Sequence, residues 1–189
     1  MRRVLAVAAV VGLAACGPVQ PYASLPRDAT AGAGDPTRAA VIGSAYAFAG
    51  NDMAGRPEAA ARAAAQVEYL ASEIPTGARW IDFNPTVGLE LIAARAELHQ
   101  ALGIAADAAP QAVVDGLFAA SRALRAGDQA GARQALAAPV FTDGPGTLRQ
   151  LASLPPLPRA RSATALAERE LFRVEQDSQH SSGGDGSHF

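Results

Sequence analysis

The chain has 189 residues, of which 49% are hydrophobic but only 5% aromatic, and its net charge is −2. This length suits one domain with an ordinary core, and the charge excludes the basic surface that nucleic-acid binding requires. The single cysteine excludes an intramolecular disulfide, a zinc cluster and a CxxC redox pair.

Residues 1–15 have the pattern of a secretory signal. Arg2 and Arg3 come first, and an apolar run over residues 4–15 follows. These 12 or so apolar residues fall short of the roughly 20 that a membrane-spanning helix needs. The pattern therefore predicts a cleaved signal. Cleavage leaves 174 of the 189 residues and removes two of the 16 basic side chains, so 14 remain against 18 acidic ones.

The last residues before the predicted cleavage point are Leu13, Ala14 and Ala15, and Cys16 follows them. This stretch resembles the lipobox of bacterial lipoproteins, in which a leucine and two small residues precede the modified cysteine. The resemblance implies cleavage before Cys16, a diacylglyceryl thioether on its sulfur and usually a further fatty acyl chain, such as palmitate, on the new amino group. Two or three acyl chains anchor a protein stably on a membrane. We therefore expect a lipid-anchored protein that faces the periplasm.

Gly17 follows the cysteine. In enteric bacteria an aspartate at this position retains lipoproteins in the inner membrane, so the resemblance favours the outer membrane here. The alternative for the whole N-terminus is an ordinary cleaved signal with an incidental cysteine. In that case the mature protein has no lipid anchor.

Residues 16–34 are rich in proline, glycine and alanine and show no apolar period. This composition predicts a flexible tether with a reach of roughly 25 Å. At the other end, residues 177–189 are polar and rich in glycine and serine, and they predict a disordered tail.

From residue 35 to residue 176 the pattern predicts a single all-α, bundle-like domain of six to seven helices. Asp35-Pro36 and Asn84-Pro85 each combine an N-cap residue with a proline at the first helical position, and Pro110 has the same position without a good cap. The predicted helices span residues 36–50, 58–74, 86–102, 111–125, 128–138, 147–153 and 162–176.

For two of these helices the sequence also predicts which face is buried. The fourth has a clear apolar stripe, which consists of Val113, Val114, Leu117, Phe118, Ser121 and Leu124. In the third, an inner stripe is expected at Val87, Leu91, Leu98 and Leu102, while Glu90, Arg95 and Glu97 mostly face outward. Residues 124–136 faintly resemble a tetratricopeptide hairpin, but without a second copy they predict only one helical hairpin.

The densest group of functional side chains is Arg79, Trp80, Asp82 and Phe83, between the second and third helices. One interpretation is a binding site, in which the two rings form an aromatic lip and the charged groups fix a ligand or a protein partner. The other is that the rings close the end of a bundle poor in large side chains. The sequence favours the second interpretation and leaves the first open.

The sequence contains no catalytic, cofactor or metal motif, and no cofactor is expected. Our first hypothesis is a non-catalytic interaction or envelope-assembly domain, which should expose a contiguous apolar patch. The second is a carrier of a small apolar or amphipathic ligand, with an enclosed pocket of roughly 300–1,000 Å³. An enzyme comes third, and it would bring Asp82, Glu90, His99 or another titratable pair together in a cleft.

Overall fold

The computed structural model describes residues 23–30, 34–50 and 53–182. The predicted signal, Cys16 and residues 183–189 of the predicted tail lie outside the described residues. Within the described part the chain is all-α, as predicted, with seven α-helices, two short 3-10 helices and no strand. The α-helices are α1 Pro36–Ala49, α2 Pro57–Glu73, α3 Pro85–Leu102, α4 Pro110–Arg125, α5 Gln129–Ala135, α6 Gly144–Ala152 and α7 Pro158–Ser182, and the 3-10 helices are Arg27–Ala29 and Ala78–Trp80.

α2 is the central helix of the bundle. Helices α1, α3, α4 and α6 all pack against it, and α7 packs across α1 and α3. Every residue of α2 from position 63 to position 72 is buried. Because five of these ten are alanine or serine, the neighbouring helices approach α2 closely.

The local signals for helix starts are confirmed. Asp35 accepts a hydrogen bond from the backbone N–H of Thr37 at 2.9 Å, and Asn84 accepts one from the N–H of Thr86 at 2.9 Å. The apolar stripe of α4 is also confirmed for Val113, Val114, Leu117, Phe118 and Ser121, which are all buried, whereas Leu124 at its end is partly buried. These features depend on residues within a few positions of one another, so the sequence displays them directly.

The predicted flexible tether is wrong for residues 23–30, which we call the N-terminal strap. The strap lies along α2 and α4, and its residues Ala23 and Ala29 are buried. The backbone N–H of Ala23 donates to Oγ of Ser72 at 3.0 Å, and Arg62 donates to the carbonyl of Ala29. The small side chains that suggested a tether are the ones that fit between two helices.

Helix α7 is longer than predicted at both ends. Its start is capped from another helix, because the carboxylate of Glu97 accepts the backbone N–H groups of Arg159 at 3.2 Å and Ala160 at 2.9 Å. At the other end, Asp177 pairs with Arg173 one turn earlier at 2.7 Å. The prediction of disorder from residue 177 is therefore wrong for residues 177–182, which are helical.

Glu170 fastens α7 to the start of α3. Its carboxylate accepts hydrogen bonds from Arg173 at 2.7 Å and from the backbone N–H of Asn84 at 2.7 Å. The bonds from Arg173 lower the pKa of Glu170 most; partial burial opposes them, and the bond from Asn84 lowers the pKa further. The ionised carboxylate therefore stabilises the fold.

We expect Glu170→Gln to lower the free energy of unfolding by about 1–2 kcal/mol at pH 7, because charge-assisted hydrogen bonds are lost. The pKa is lowered in the folded state, so this contribution is complete above the ordinary value of 4.5 and disappears as the pH falls through the folded-state pKa. Urea unfolding at several pH values measures both effects. Glu168→Gln, on the same helix, is the control; an equal loss in both variants, or a loss from Glu170→Gln that persists in acid, would contradict the assignment.

Candidate functional site

The two aromatic rings between α2 and α3 are part of the core. Trp80 and Phe83 are both buried, and their ring centroids lie 4.8 Å apart in an edge-to-face arrangement. The indole N–H of Trp80 donates to Oε1 of Glu73 at 3.2 Å, which satisfies the polar atom of the ring. The rings close this end of the bundle and form no open aromatic lip.

The two charged residues of the same group do not converge on a common point. The guanidinium of Arg79 stacks over the ring of Trp80, 4.3 Å from its centroid, and pairs with Asp35 at the start of α1. Burial alone would raise the pKa of Asp35, but the hydrogen bonds from Arg79 and from backbone N–H groups outweigh it and lower that pKa. Asp82 is exposed, and its backbone carbonyl accepts a hydrogen bond from Arg173 at 2.9 Å.

The outward face of α3 differs from the predicted one. Arg95 turns toward α2, where it pairs with Glu68, and Glu97 turns toward α7. Large apolar side chains occupy the solvent face instead, with Leu89 67% exposed and Ile92 46% exposed. Together with Ala96, which is also exposed, they lie three and four positions apart and therefore share one side of the helix. We call Leu89, Ile92 and Ala96 the α3 strip.

Beside the α3 strip, a buried carboxylate joins α2 to α3. Glu68 is 2% exposed, and its Oε2 lies 2.7 Å from Nε2 of His99. Its Oε1 lies 2.8 Å from Nε of Arg95, but the N–H of Arg95 points at His99 Nε2, 3.4 Å away. Oε1 is therefore close to a positive charge without accepting a hydrogen bond. Glu68 and Arg95 form an ion pair, and the charge of Arg95 compensates the burial of Glu68. We call this pair, together with His99, the ion-pair cluster.

Sequence reasoning named His99 only among the residues that an enzyme would bring together, and it missed Glu68. Two signals were present. Glu68 is the only charged residue between Arg62 and Glu73, in a helix whose composition predicts burial, and a buried charge needs a partner. Arg95 and His99 are four positions apart, so both face the same side of α3.

Arg95 and His99 also line a surface groove of about 440 Å³. Its remaining lining is Ile92, Ala96, Gln100, Ile104 and Ala106. The groove is open to solvent, and Ile92 and Ala96 of the α3 strip are among its lining residues. The apolar surface of α3 thus continues into a shallow depression that has three polar side chains, Arg95, His99 and Gln100, in its wall.

A second cleft, of about 620 Å³, lies beside the start of α2, at the end of that helix opposite Trp80. The end of α1 and the connection between α6 and α7 form its walls. The apolar side chains among its lining residues are Phe48, Met53, Leu154, Leu157 and three prolines. Trp80 lies near the opposite end of α2, about 25 Å away by the length of that helix, so its fluorescence does not report on this cleft.

The residues that an enzyme was expected to bring together lie apart. Asp82 is on the connection before α3, Glu90 is in the second turn of α3, and His99 is more than two turns further along that helix, paired with Glu68. Among residues 23–30, 34–50 and 53–182, no group of three His, Cys, Asp or Glu side chains is arranged to hold a metal ion. None of the helices described combines the length and apolarity that crossing a membrane requires. Comparison with protein-family models, curated proteins and solved structures finds no match to this chain.

Proposed function

We propose that the protein is a bacterial lipoprotein, anchored through Cys16 and facing the periplasm, whose helical domain acts by surface contact within the cell envelope and not by catalysis. The outer membrane is the favoured location because Gly17, and not aspartate, follows the cysteine. The proposal of a lipid anchor rests on one observation, the sequence Leu13-Ala14-Ala15-Cys16 at the end of an apolar signal.

For the helical domain, the supporting observation is the α3 strip. Contiguous apolar patches on monomeric proteins mark interaction sites, and the α3 strip adjoins the apolar residues Ile104 and Ala106 of the groove. Several conspicuous charged groups are occupied by contacts between helices: Glu68 with Arg95, Asp35 with Arg79, and Glu170 with Arg173. This distribution supports a domain that presents a surface and does not assemble reactive groups.

The anchor is tested by expressing the wild type and Cys16→Ser in a Gram-negative host. We expect the wild type to lose residues 1–15 and to gain the mass of two or three acyl chains. It should sediment with membranes, because two or three acyl chains anchor a protein stably in a bilayer. Cys16→Ser should gain no acyl mass and should remain in the soluble fraction. Intact-mass spectrometry and membrane fractionation measure both properties.

Gly17→Asp is the matched variant for location. Its acylation should be unchanged, while the resemblance implies that an enteric host would retain it in the inner membrane, which density-gradient separation of the two membranes would show. An unmodified wild-type Cys16 in a soluble periplasmic protein would contradict the anchor itself. Unchanged outer-membrane location of Gly17→Asp would contradict only the sorting argument.

A carrier function is the second candidate, and the cleft at the end of α1 is the observation that favours it. Its volume of about 620 Å³ falls within the range of small-ligand sites. Its lining combines apolar side chains with Arg161, Ser153 and Ser162, which suits an amphipathic ligand. The cleft is open, whereas the sequence-based hypothesis expected an enclosed pocket.

A further inference from the structure

The position of the N-terminal strap limits how far the domain can lie from its anchor. Ala23 is fixed against α2, and only the steps from Cys16 to Ala23 separate the strap from the lipid-bearing residue. At roughly 3.5 Å per residue, seven steps span at most about 25 Å. If Cys16 is acylated, as proposed above, the bilayer is a permanent neighbour of the domain at high effective concentration.

The strap begins at the end of the bundle from which the exposed apolar residues extend. Ala23 contacts Ser72, and the ring of Trp80 contacts the next residue of α2, Glu73. Ile81 follows Trp80 and is 85% exposed, the largest exposure among the large apolar side chains described. The chain from the anchor therefore reaches the domain close to its most exposed apolar residue.

Further large apolar side chains are exposed along α3, the helix that begins four residues after Ile81. Leu89 lies in its second turn and Ile92 in its third, and both belong to the α3 strip. Ile81 therefore lies at the end of the bundle that carries the strap, and the α3 strip extends along the helix that starts there.

We propose that this surface, Ile81 with the α3 strip, is where the anchored domain rests on the bilayer. The inference depends on the proposed lipid anchor, because the acyl chains supply most of the membrane affinity. The apolar side chains then enter the boundary between headgroups and acyl chains, as the apolar face of an interfacial helix does. A protein partner on the same surface would have to displace lipid.

Fluorescence quenching by brominated lipid tests the orientation. Lipidated protein carrying Trp80→Phe and one new tryptophan is reconstituted into phosphatidylcholine vesicles, with or without bromine near the headgroup end of the acyl chains. Leu89→Trp places the probe on the α3 strip. Asp115→Trp places it on α4, which packs against α2 and lies near the strap, since Gln111 of α4 contacts both Ser24 and Asp115.

We expect brominated lipid to reduce the fluorescence of Leu89→Trp by about twofold, because an interfacial side chain lies at the depth of the bromine, and to leave Asp115→Trp nearly unchanged. Circular dichroism checks first that Trp80→Phe folds; if it does not, each new tryptophan is added to the wild type and its quenching is compared with that of Trp80 alone.

Vesicle flotation separates the two proposals. A protein that does not float has no anchor, and both proposals fail. A protein that floats while Leu89→Trp is quenched no more than Asp115→Trp keeps its anchor and overturns the orientation, which leaves the α3 strip to a protein partner.

Discussion

Arg95→Met is expected to lower the free energy of unfolding by about 3 kcal/mol at pH 7, because it leaves the buried carboxylate of Glu68 without its permanent positive charge. Glu68→Met should cost less, about 1 kcal/mol or below, since the Arg95 and His99 side chains that it leaves behind line an open groove and can be hydrated there. The asymmetry follows from burial: the side chain of Glu68 is 3% exposed, whereas that of Arg95 is 25% exposed.

The double variant Glu68→Met/Arg95→Met completes the test. Replacing both members of a buried ion pair by apolar side chains of similar volume is often nearly neutral, so we expect the double variant to be more stable than Arg95→Met alone. Chemical unfolding of the four proteins gives the coupling energy, which should be about 3 kcal/mol.

Arg169→Met, at an exposed position of α7, is the matched control and should stay within about 0.5 kcal/mol of the wild type. Additive effects of the two cluster substitutions, or a larger loss from Glu68→Met than from Arg95→Met, would show that the cluster does not compensate a buried charge.

Phe141→Ala is expected to lower the free energy of unfolding by about 3–5 kcal/mol, at least as much as Arg95→Met. The ring is 1% exposed and packs directly on Gly116 of α4, where a Cβ atom would lie 2.7 Å from it. The residues on either side of Phe141 are hydrogen-bonded to the segment that follows α3. The backbone N–H of Thr142 donates to the carbonyl of Gly103, and the N–H of Ala105 donates to the carbonyl of Val140, both at 2.9 Å. Loss of the ring therefore leaves a cavity where three parts of the chain meet.

Thermal unfolding measures this effect. A loss of that size in a domain of 150–250 residues lowers the melting temperature by roughly 10 °C. Phe172→Ala removes the same ring from a position that is 40% exposed, and it should cost about 1 kcal/mol or less. Similar melting temperatures for the two variants would show that Phe141 does not hold these segments together.

The α3 strip and the ion-pair cluster have one origin in the packing of α3. Arg95 and Glu97 were predicted to face solvent because isolated charges usually do. In the structure each reaches a neighbouring helix, where Arg95 neutralises Glu68 and Glu97 caps α7. Leu89 and Ile92 are left outside. The solvent-facing side of α3 is therefore apolar because the charged side chains of Arg95 and Glu97 contact neighbouring helices.

The all-α class, the starts of α1 and α3 and most of the buried stripe of α4 follow from the amino-acid sequence alone, which also predicts the lipid anchor. Each depends on residues within one or two helical turns, such as Asp35 with Thr37 or Asn84 with Thr86. The docking of the strap and the inward turn of the charges of α3 become visible only in the packed helices. Those features depend on partners 31 to 94 positions apart, Glu68 with His99 and Asp28 with Arg122 among them. A hydrogen bond of this range has no local pattern, because its partner becomes a neighbour only when the helices pack.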